Sequence, residues 1–145
     1  MNIRRMNWDD LEAAAEIEAV CFRESWSKPM LEESFSAPWS RFWGVEEGGC
    51  LIGYGVMSVI AGEGELLRIA VLKGFRRRGT GRKLLDAMAA DAREQGVGAM
   101  TLEVRESNAA ARRLYVSAGF REEARRREYY RNPREDAIIM WNRNL

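Results

Sequence analysis

The stretch RRRGTGRKLL (residues 76–85) places five cations and two glycines at the start of a helical pattern. A strongly apolar strand, ELLRIAVL (65–72), precedes it. Apolar residues at helical spacing follow it: Leu84, Leu85, Met88, Ala89 and Ala92. A strand, a glycine-rich turn and a helix N-terminus form an anion site, because the first helical N–H groups lack partners and the helix dipole is positive there.

The glycines and arginines of this turn suit a phosphate ligand. Gly79 and Gly81 let a ligand approach the backbone without a Cβ clash. Four arginines can add charge-assisted hydrogen bonds to phosphate oxygens: Arg76, Arg77, Arg78 and Arg82. The spacing matches neither a P-loop nor a dinucleotide fingerprint. Taken alone, the stretch indicates either an anion site or a solvated basic helix start.

The rest of the chain predicts alternating strands and helices around this centre. Upstream we predict a strand at 3–6, a helix capped by Asp9 or Asp10 and ending near Cys21, a helix starting at Ser27, and strands near 41–47 and 50–60 joined at Gly48-Gly49. Downstream we predict a helix stop at Gly96, a strand at 99–104, a helix capped by Ser107 or Asn108, a left-handed turn at Gly119, and strands near 121–128 and 135–141. The order predicts an α/β fold, a single domain over 1–145 with a mixed central β-sheet of about six to seven strands flanked by about four helices.

Composition narrows the function classes. Apolar residues make up 46% and charged residues 31% of 145, as in a globular domain. No apolar run reaches the ~20 residues that span a bilayer, and the N-terminus turns acidic where a signal peptide is apolar. The net charge of +1 offers nothing global to attract nucleic acid or a membrane. We therefore expect a cytoplasmic monomer with no direct nucleic-acid or membrane binding.

The chain contains no histidine, which removes the commonest general base and nitrogen ligand. A Ser-His-Asp or Cys-His hydrolase is excluded, so any proton transfer must use Glu, Asp, Tyr, Lys, Cys or water. Cys21 and Cys50 lack metal-ligand spacing and are predicted to be free, buried thiols. We expect no metal.

Read together, the segments resemble the GCN5-related N-acetyltransferases (GNAT). RRRGTGR (76–82) fits that family's Q/R-x-x-G-x-G/A motif, and LEVRESNAAARRLYVSAGF (102–120) is similar to its second signature. REYYRNPREDAIIM (127–140) and FRESWS (22–27) resemble the RimI-like group of ribosomal-protein alanine N-acetyltransferases. The chain departs from the pattern at Leu72-Lys73, where Asp-Pro is common, and in the glycine-rich AGEGE (61–65).

The resemblance implies acetyl-CoA as co-substrate, bound in a cleft that opens between the 65–72 and 99–104 strands. The backbone of Ile69, Ala70 and Val71 would pair with the pantetheine amides as an added strand. The turn would hold the pyrophosphate through Arg77, Arg78, Gly79, Thr80, Gly81 and Arg82. Asn108 would cap its helix and also contact the cofactor.

The resemblance further implies direct transfer of the acetyl group to an amine, with one base and one acid flanking the thioester. Glu103 matches the base and Tyr115 the acid. A tyrosine, with an ordinary pKa of about 10, can protonate a thiolate. The alternatives are a solvated strand glutamate and a core tyrosine beside Leu114 and Phe120.

The implied acceptor is the N-terminal peptide of a ribosomal protein, specifically the α-amine of an N-terminal alanine of a small-subunit protein. Tyr129 and Tyr130 are candidate substrate contacts, with ordinary hairpin packing as their alternative. Two other functions stay open at this point. One is acetylation of another amine, such as a lysine, a polyamine or an antibiotic, and the other is a non-catalytic CoA-binding module.

Overall fold

Seven strands form one sheet in the computed structural model, which describes all 145 residues. The strands are β1 (Asn2–Arg5), β2 (Ser40–Glu47), β3 (Cys50–Ile60), β4 (Glu63–Val71), β5 (Ala99–Arg105), β6 (Arg121–Tyr130) and β7 (Glu135–Asn142). Their order across the sheet is β1-β2-β3-β4-β5-β7-β6. Only β4 and β5 pair in parallel, and every other pair is antiparallel. The prediction of an α/β fold with a mixed sheet is confirmed, and the strand count is seven.

Four α-helices cover the two faces of the sheet. They are α1 (Leu11–Cys21), α2 (Lys28–Ser36), α3 (Thr80–Glu94) and α4 (Ala109–Ser117). Because side chains alternate along β3, Tyr54 faces the α1–α2 cluster while the Cβ position of Gly55 faces Met88 of α3. The core cluster on the α3–α4 face has 16 buried residues and the cluster on the α1–α2 face has nine, so the α3–α4 layer is the larger core.

The predicted helix caps occupy their positions, and two of the three use their side chains. Ser27 accepts a hydrogen bond from the Met30 amide, and Asn108 accepts one from the Ala111 amide, as predicted. Asp10 is the N-cap residue of α1, but its side chain makes no capping hydrogen bond to this helix. A 3₁₀ turn over Trp8–Asp10 precedes the helix, and the Asp10 side chain instead accepts from the Asn7 amide in a capping box.

The parallel pair β4–β5 separates along its length. Its ladder holds three residue pairs and ends where Glu65 meets Thr101. Beyond that point β4 stays paired with β3 up to Val71, and β5 stays paired with β7 up to Arg105. The cleft expected between these two strands is confirmed, and it leaves one edge of β4 without a strand partner.

The remaining predictions on turns hold, and the one on the cysteines holds in part. Gly48 and Gly49 form the β2–β3 turn with φ of +60° and +81°. Both cysteines are free as predicted, but Cys21 is half-buried and Cys50 is exposed. The burial prediction fails because Cys50 directly follows the hairpin turn. None of the helices combines the length and the apolar character that a membrane crossing requires.

Candidate active site

A cavity of about 610 Å³ fills the cleft between β4 and β5 and extends to the start of α3. Most of the predicted site residues line it together: Ile69, Ala70, Val71, Gly79, Gly81, Arg82, Glu103, Asn108, Tyr115 and Tyr130. They come from five separate segments of the sequence. The fold therefore gathers the proposed phosphate loop, the strand edge and the proposed acid and base around one space.

The start of α3 is shaped to accept an anion. Gly79 is the N-cap in the left-handed region, with φ of +75°, and no side chain caps the helix. The amides of Thr80, Gly81 and Arg82 precede the first intrahelical bond, which runs from the Lys83 N–H to the Gly79 carbonyl over 3.0 Å. These N–H groups are therefore free to donate to a ligand.

The glycines keep this helix end open. A Cβ on Gly79 would have no atom within 4 Å, and a Cβ on Gly81 would meet only Leu114 Cδ2, at 3.5 Å. Gly79 is favoured by its left-handed φ, whereas Gly81 relieves no clash within the protein. The missing Cβ atoms leave space at this helix end.

The arginines of the loop have different surroundings. Arg76 Nε donates to the Val71 carbonyl over 2.7 Å, so this side chain ties the loop to β4. Arg78 pairs with Glu47 and lies over the Phe75 ring. Arg82 pairs with Asp86 one turn along α3. Of the residues predicted to contact phosphate, Arg76, Gly79, Gly81 and Arg82 line the cavity.

Three predicted ligands lie outside the cavity lining: Arg77, Arg78 and Thr80. The Thr80 hydroxyl donates to the Phe75 carbonyl, so its predicted role falls to its backbone amide. Arg77 has a φ of +63°, which costs a residue with a side chain about 1–2 kcal/mol. Such strain tends to cluster at ligand-binding sites.

The open edge of β4 suits an extended ligand with amide groups. Ile69, Ala70 and Val71 are paired to β3 on one side, and no strand covers the other side. Their outward backbone groups can therefore bond a ligand as a further strand would. Asn108 caps α4 and also lines the cavity, so both of its predicted roles are compatible with its position.

Glu103 lies on β5, inside the cavity and partly open to solvent. Its side chain is 27% exposed, and Oε1 lies 3.6 Å from Arg126 Nε. Partial burial, together with the charges of Glu103 and Glu63, raises the pKa of the neighbouring Glu65. Glu103 is the only carboxylate among the residues that line the cavity, so it is the group there that can attract a cationic amine.

Tyr115 lies on α4 with only 7% of its surface exposed, and its ring packs edge-on against Phe120. Burial, followed by the nearby Tyr130, raises the pKa of Tyr115 to about 12. The side chain is therefore protonated at all physiological pH values. It is also a weaker acid than the ordinary tyrosine assumed from the sequence.

Tyr130 and Tyr129 have different surroundings in the structure. Tyr130 lines the cavity under the Arg105 guanidinium, and burial followed by the Glu103 charge raises its pKa to about 12. Tyr129 is 47% exposed and lies outside the lining, although the Glu103 charge raises its pKa. The two rings contact each other edge to face at 5.2 Å. The structure thus brings only Tyr130 into the cavity wall.

Sequence reasoning missed Arg68 of β4, which lines the cavity together with Phe22. Arg68 was hidden in an apolar run, where it reads as one polar position on a strand. Its charge among apolar neighbours was the available signal, because a cation with an inward-facing side chain needs a buried partner.

Comparison with known proteins agrees with this architecture. Residues 11–120 match the model of the Acetyltransferase (GNAT) family. The chain is 36% identical over 140 residues to the [Ribosomal protein bS18]-alanine N-acetyltransferase of Escherichia coli K12, covering 95% of this chain and 94% of that one. It is 35% identical over 137 residues to the N-alpha-acetyltransferase RimI of Mycobacterium tuberculosis, covering 90% and 85%. The crystal structure of the ribosomal-protein-S18-alanine N-acetyltransferase from Escherichia coli superposes with a TM-score of 0.91 at 34% identity, covering 99% of this chain and 94% of that one.

Proposed function

Because this chain belongs to the GNAT acetyltransferase family, and within it to the RimI-like group, we propose that it acetylates the N-terminal alanine of ribosomal protein bS18. The observation that carries the proposal is the single cavity that joins the α3 N-terminus to Glu103 and Tyr115. An anion site, an acid and a base lining one space match the needs of acetyl transfer to an amine.

GNAT acetyltransferases use acetyl-CoA, and the residues of this cleft fit it. The free amides at the start of α3, with Arg82 beside them, would hold the pyrophosphate. The open backbone edge over 69–71 would bond the pantetheine amides. Acetyl-CoA supplies the activated acetyl thioester.

Glu103 would prepare the amine. An α-amine has a pKa of about 8, so at neutral pH much of it is an ammonium that cannot attack a carbonyl. The Glu103 carboxylate would take one proton from the ammonium, directly or through a water, which frees the nitrogen lone pair. The new C–N bond then forms as the C–S bond breaks, and the amine's second proton leaves to solvent.

Tyr115 would assist the departing sulfur. Its buried hydroxyl keeps its proton at working pH and can donate a hydrogen bond to the developing thiolate. Since a thiol is the stronger acid, with a pKa of about 8.5, complete proton transfer from Tyr115 is uphill, so the tyrosine keeps its proton while CoA departs as the thiolate. The thiolate then takes a proton from water, and Glu103 releases its proton to solvent, which closes the cycle.

The peptide would enter from the side formed by Phe22, Arg68 and Tyr130, where the cavity wall comes from three separate segments. The Glu103 carboxylate, the only one in the cavity lining, would attract the peptide's ammonium group. The other end of the cavity is shaped for the cofactor. The two substrates would thus meet between Glu103 and Tyr115.

A thiol-release assay with acetyl-CoA tests the proposal. The acceptors are a short peptide with the bS18 N-terminal sequence, the same peptide with a blocked α-amine, an internal-lysine peptide and spermidine. We expect release only with the free α-amine, and mass spectrometry places one acetyl group on it. Turnover of spermidine or lysine in place of the peptide would assign the enzyme to another amine. No turnover, with CoA still bound, would indicate a binding module.

A further inference from the structure

The acceptor side of the cavity contains a buried ion pair that the reaction does not use. Glu18 of α1 is fully buried, and its Oε1 lies 2.9 Å from an Arg68 guanidinium nitrogen. The other Glu18 oxygen accepts a hydrogen bond from the Tyr54 hydroxyl. Burial and Glu18 raise the pKa of Tyr54, so the tyrosine remains the donor.

Both members of the pair also bind the segment Phe22–Ser27, which joins α1 to α2. Arg68 donates to the Glu24 carbonyl over 2.9 Å, and Glu18 accepts from the Trp26 amide over 2.8 Å. Phe22 and Trp26 flank the same guanidinium, with ring centroids 4.0 and 4.6 Å from Arg68 Cζ. The pair is therefore the hub of this connection.

The energetics of the pair argue against a purely stabilising role. A buried ion pair is weak support for stability, because desolvation offsets the attraction. Arg68 Nε is moreover buried without a hydrogen-bond partner, which is unfavourable. An apolar pair would fill this position without the cost of desolvation or of an unpartnered nitrogen. Stability therefore does not explain why charged residues occupy it.

The position of the Glu18–Arg68 pair beside the cavity offers an explanation for its charge. Arg68 and Phe22 both line the cavity, and Arg68 lies farther back along β4 from the phosphate loop than Ile69, Ala70 and Val71. Arg23 of the same segment donates to the Asn132 carbonyl in the β6–β7 turn, 3.3 Å away. The segment thus forms one wall of the opening through which an acceptor reaches Glu103, and it is also linked to the opposite wall.

We propose that the Glu18–Arg68 pair is a positioning element that fixes the Phe22–Ser27 segment as the acceptor wall. The inference rests on the proposed function, since it assigns the peptide to this end of the cavity. Weakening the pair should therefore raise the KM for the peptide and leave the KM for acetyl-CoA nearly unchanged.

The test variant is Arg68→Lys, which keeps the charge but loses the second nitrogen donor and the planar stacking. We expect the peptide KM to rise about tenfold or more, because misplaced positioning groups cost that much, and the acetyl-CoA KM to stay within about twofold. Hydrogen–deuterium exchange should show the Phe22–Ser27 amides exchanging at least about tenfold faster, with α3 unchanged.

Arg143→Lys is the matched control. Arg143 makes two hydrogen bonds to Glu123 and lies over the Trp141 ring, but it is exposed and outside the cavity. We expect it to change neither KM. Trp26→Leu is the second test variant, since it removes one stacking ring and leaves the ion pair, and it should shift the same readouts more weakly.

The outcomes separate two failures. A wild-type enzyme that turns over no peptide overturns the proposed function, and the acceptor role with it. With an active wild type, unchanged exchange in Arg68→Lys overturns the positioning role. Faster exchange with an unchanged peptide KM, or an equal rise in both KM values, overturns the link to the acceptor.

Discussion

The two ends of the cavity, proposed for the cofactor and for the acceptor, differ in the groups that form them. The cofactor end consists mainly of backbone: three free amides at the start of α3, two glycines and an open strand edge. The acceptor end consists of side chains from distant segments, among them Phe22, Arg68 and Tyr130. Backbone features are tied to local sequence patterns, whereas a wall of side chains depends on how the segments come together.

Two buried ion pairs of the protein differ in what they hold. Arg41 and Asp91 join β2 to α3 through hydrogen bonds of 2.6 and 2.8 Å, with Trp43 as a third donor. That pair links regular elements at the edge of the larger core. Glu18 and Arg68 instead hold a loop. The first pair should therefore control global stability and the second local order.

Replacing the proposed base should give the largest effect and locate the chemistry between the two ends. Glu103→Gln removes the proton acceptor at nearly constant shape, so kcat should fall by about 10²- to 10⁴-fold. Binding of acetyl-CoA, measured by calorimetry, should stay within about twofold, because Glu103 is not placed at the phosphate end.

Glu123→Gln is the control for this variant, since Glu123 pairs with Arg143 outside the cavity. Its kcat should equal that of the wild type. A normal kcat in Glu103→Gln would remove this residue from the mechanism. A joint loss of cofactor binding would show that the two ends are not separable.

The sequence predicted the local fold around the proposed cofactor end, because glycines and a helix start mark it locally. The strand, turn and helix around RRRGTGRKLL appear in the structure, where α3 begins at Thr80. The acceptor end was predicted only through family resemblance. The contact between Arg68 and Glu18 joins residues 50 apart, and no local pattern encodes it.

Removing the carboxylate of the Arg41–Asp91 pair should reduce global stability. Asp91→Ala leaves Arg41 partly buried without its partner, and breaking such a pair costs about 3–5 kcal/mol. Urea denaturation followed by circular dichroism measures the change. Burial would raise the pKa of Asp91, but hydrogen bonds from Arg41 and Trp43 outweigh it and lower the pKa. Wild-type stability from this group is therefore present above the unfolded pKa of about 3.9 and is lost below it.

Asp86→Ala on the same helix is the matched control. Asp86 pairs with Arg82 on the surface, with 57% of its side chain exposed, so the loss should be within about 0.5 kcal/mol. Equal losses in the two variants would contradict the assignment of Asp91 as the anchor of α3.

A methyl group at the start of α3 should weaken the binding of acetyl-CoA without unfolding the protein. A Cβ on Gly81 meets only Leu114, at ordinary contact distance, and alanine favours a helix. The methyl would occupy space at the proposed phosphate site, so the Kd for acetyl-CoA should rise about tenfold. Gly74→Ala is the control, because its Cβ position is also open and lies outside the cavity lining. An unchanged Kd in Gly81→Ala would place the phosphates elsewhere.

The smallest expected effect concerns the pH dependence of activity, to which titration of Tyr115 should not contribute. Burial raises its pKa to about 12, so the required proton is present below that value and lost only above it. Up to about pH 10 the pH profile of kcat/KM should contain no falling limb that depends on Tyr115. Tyr115→Phe should then lower the whole profile by one constant factor. A falling limb in the wild type that disappears in Tyr115→Phe would show that the bound substrates make this tyrosine a stronger acid. Its pKa would then lie closer to the pKa of the thiol that it is proposed to assist.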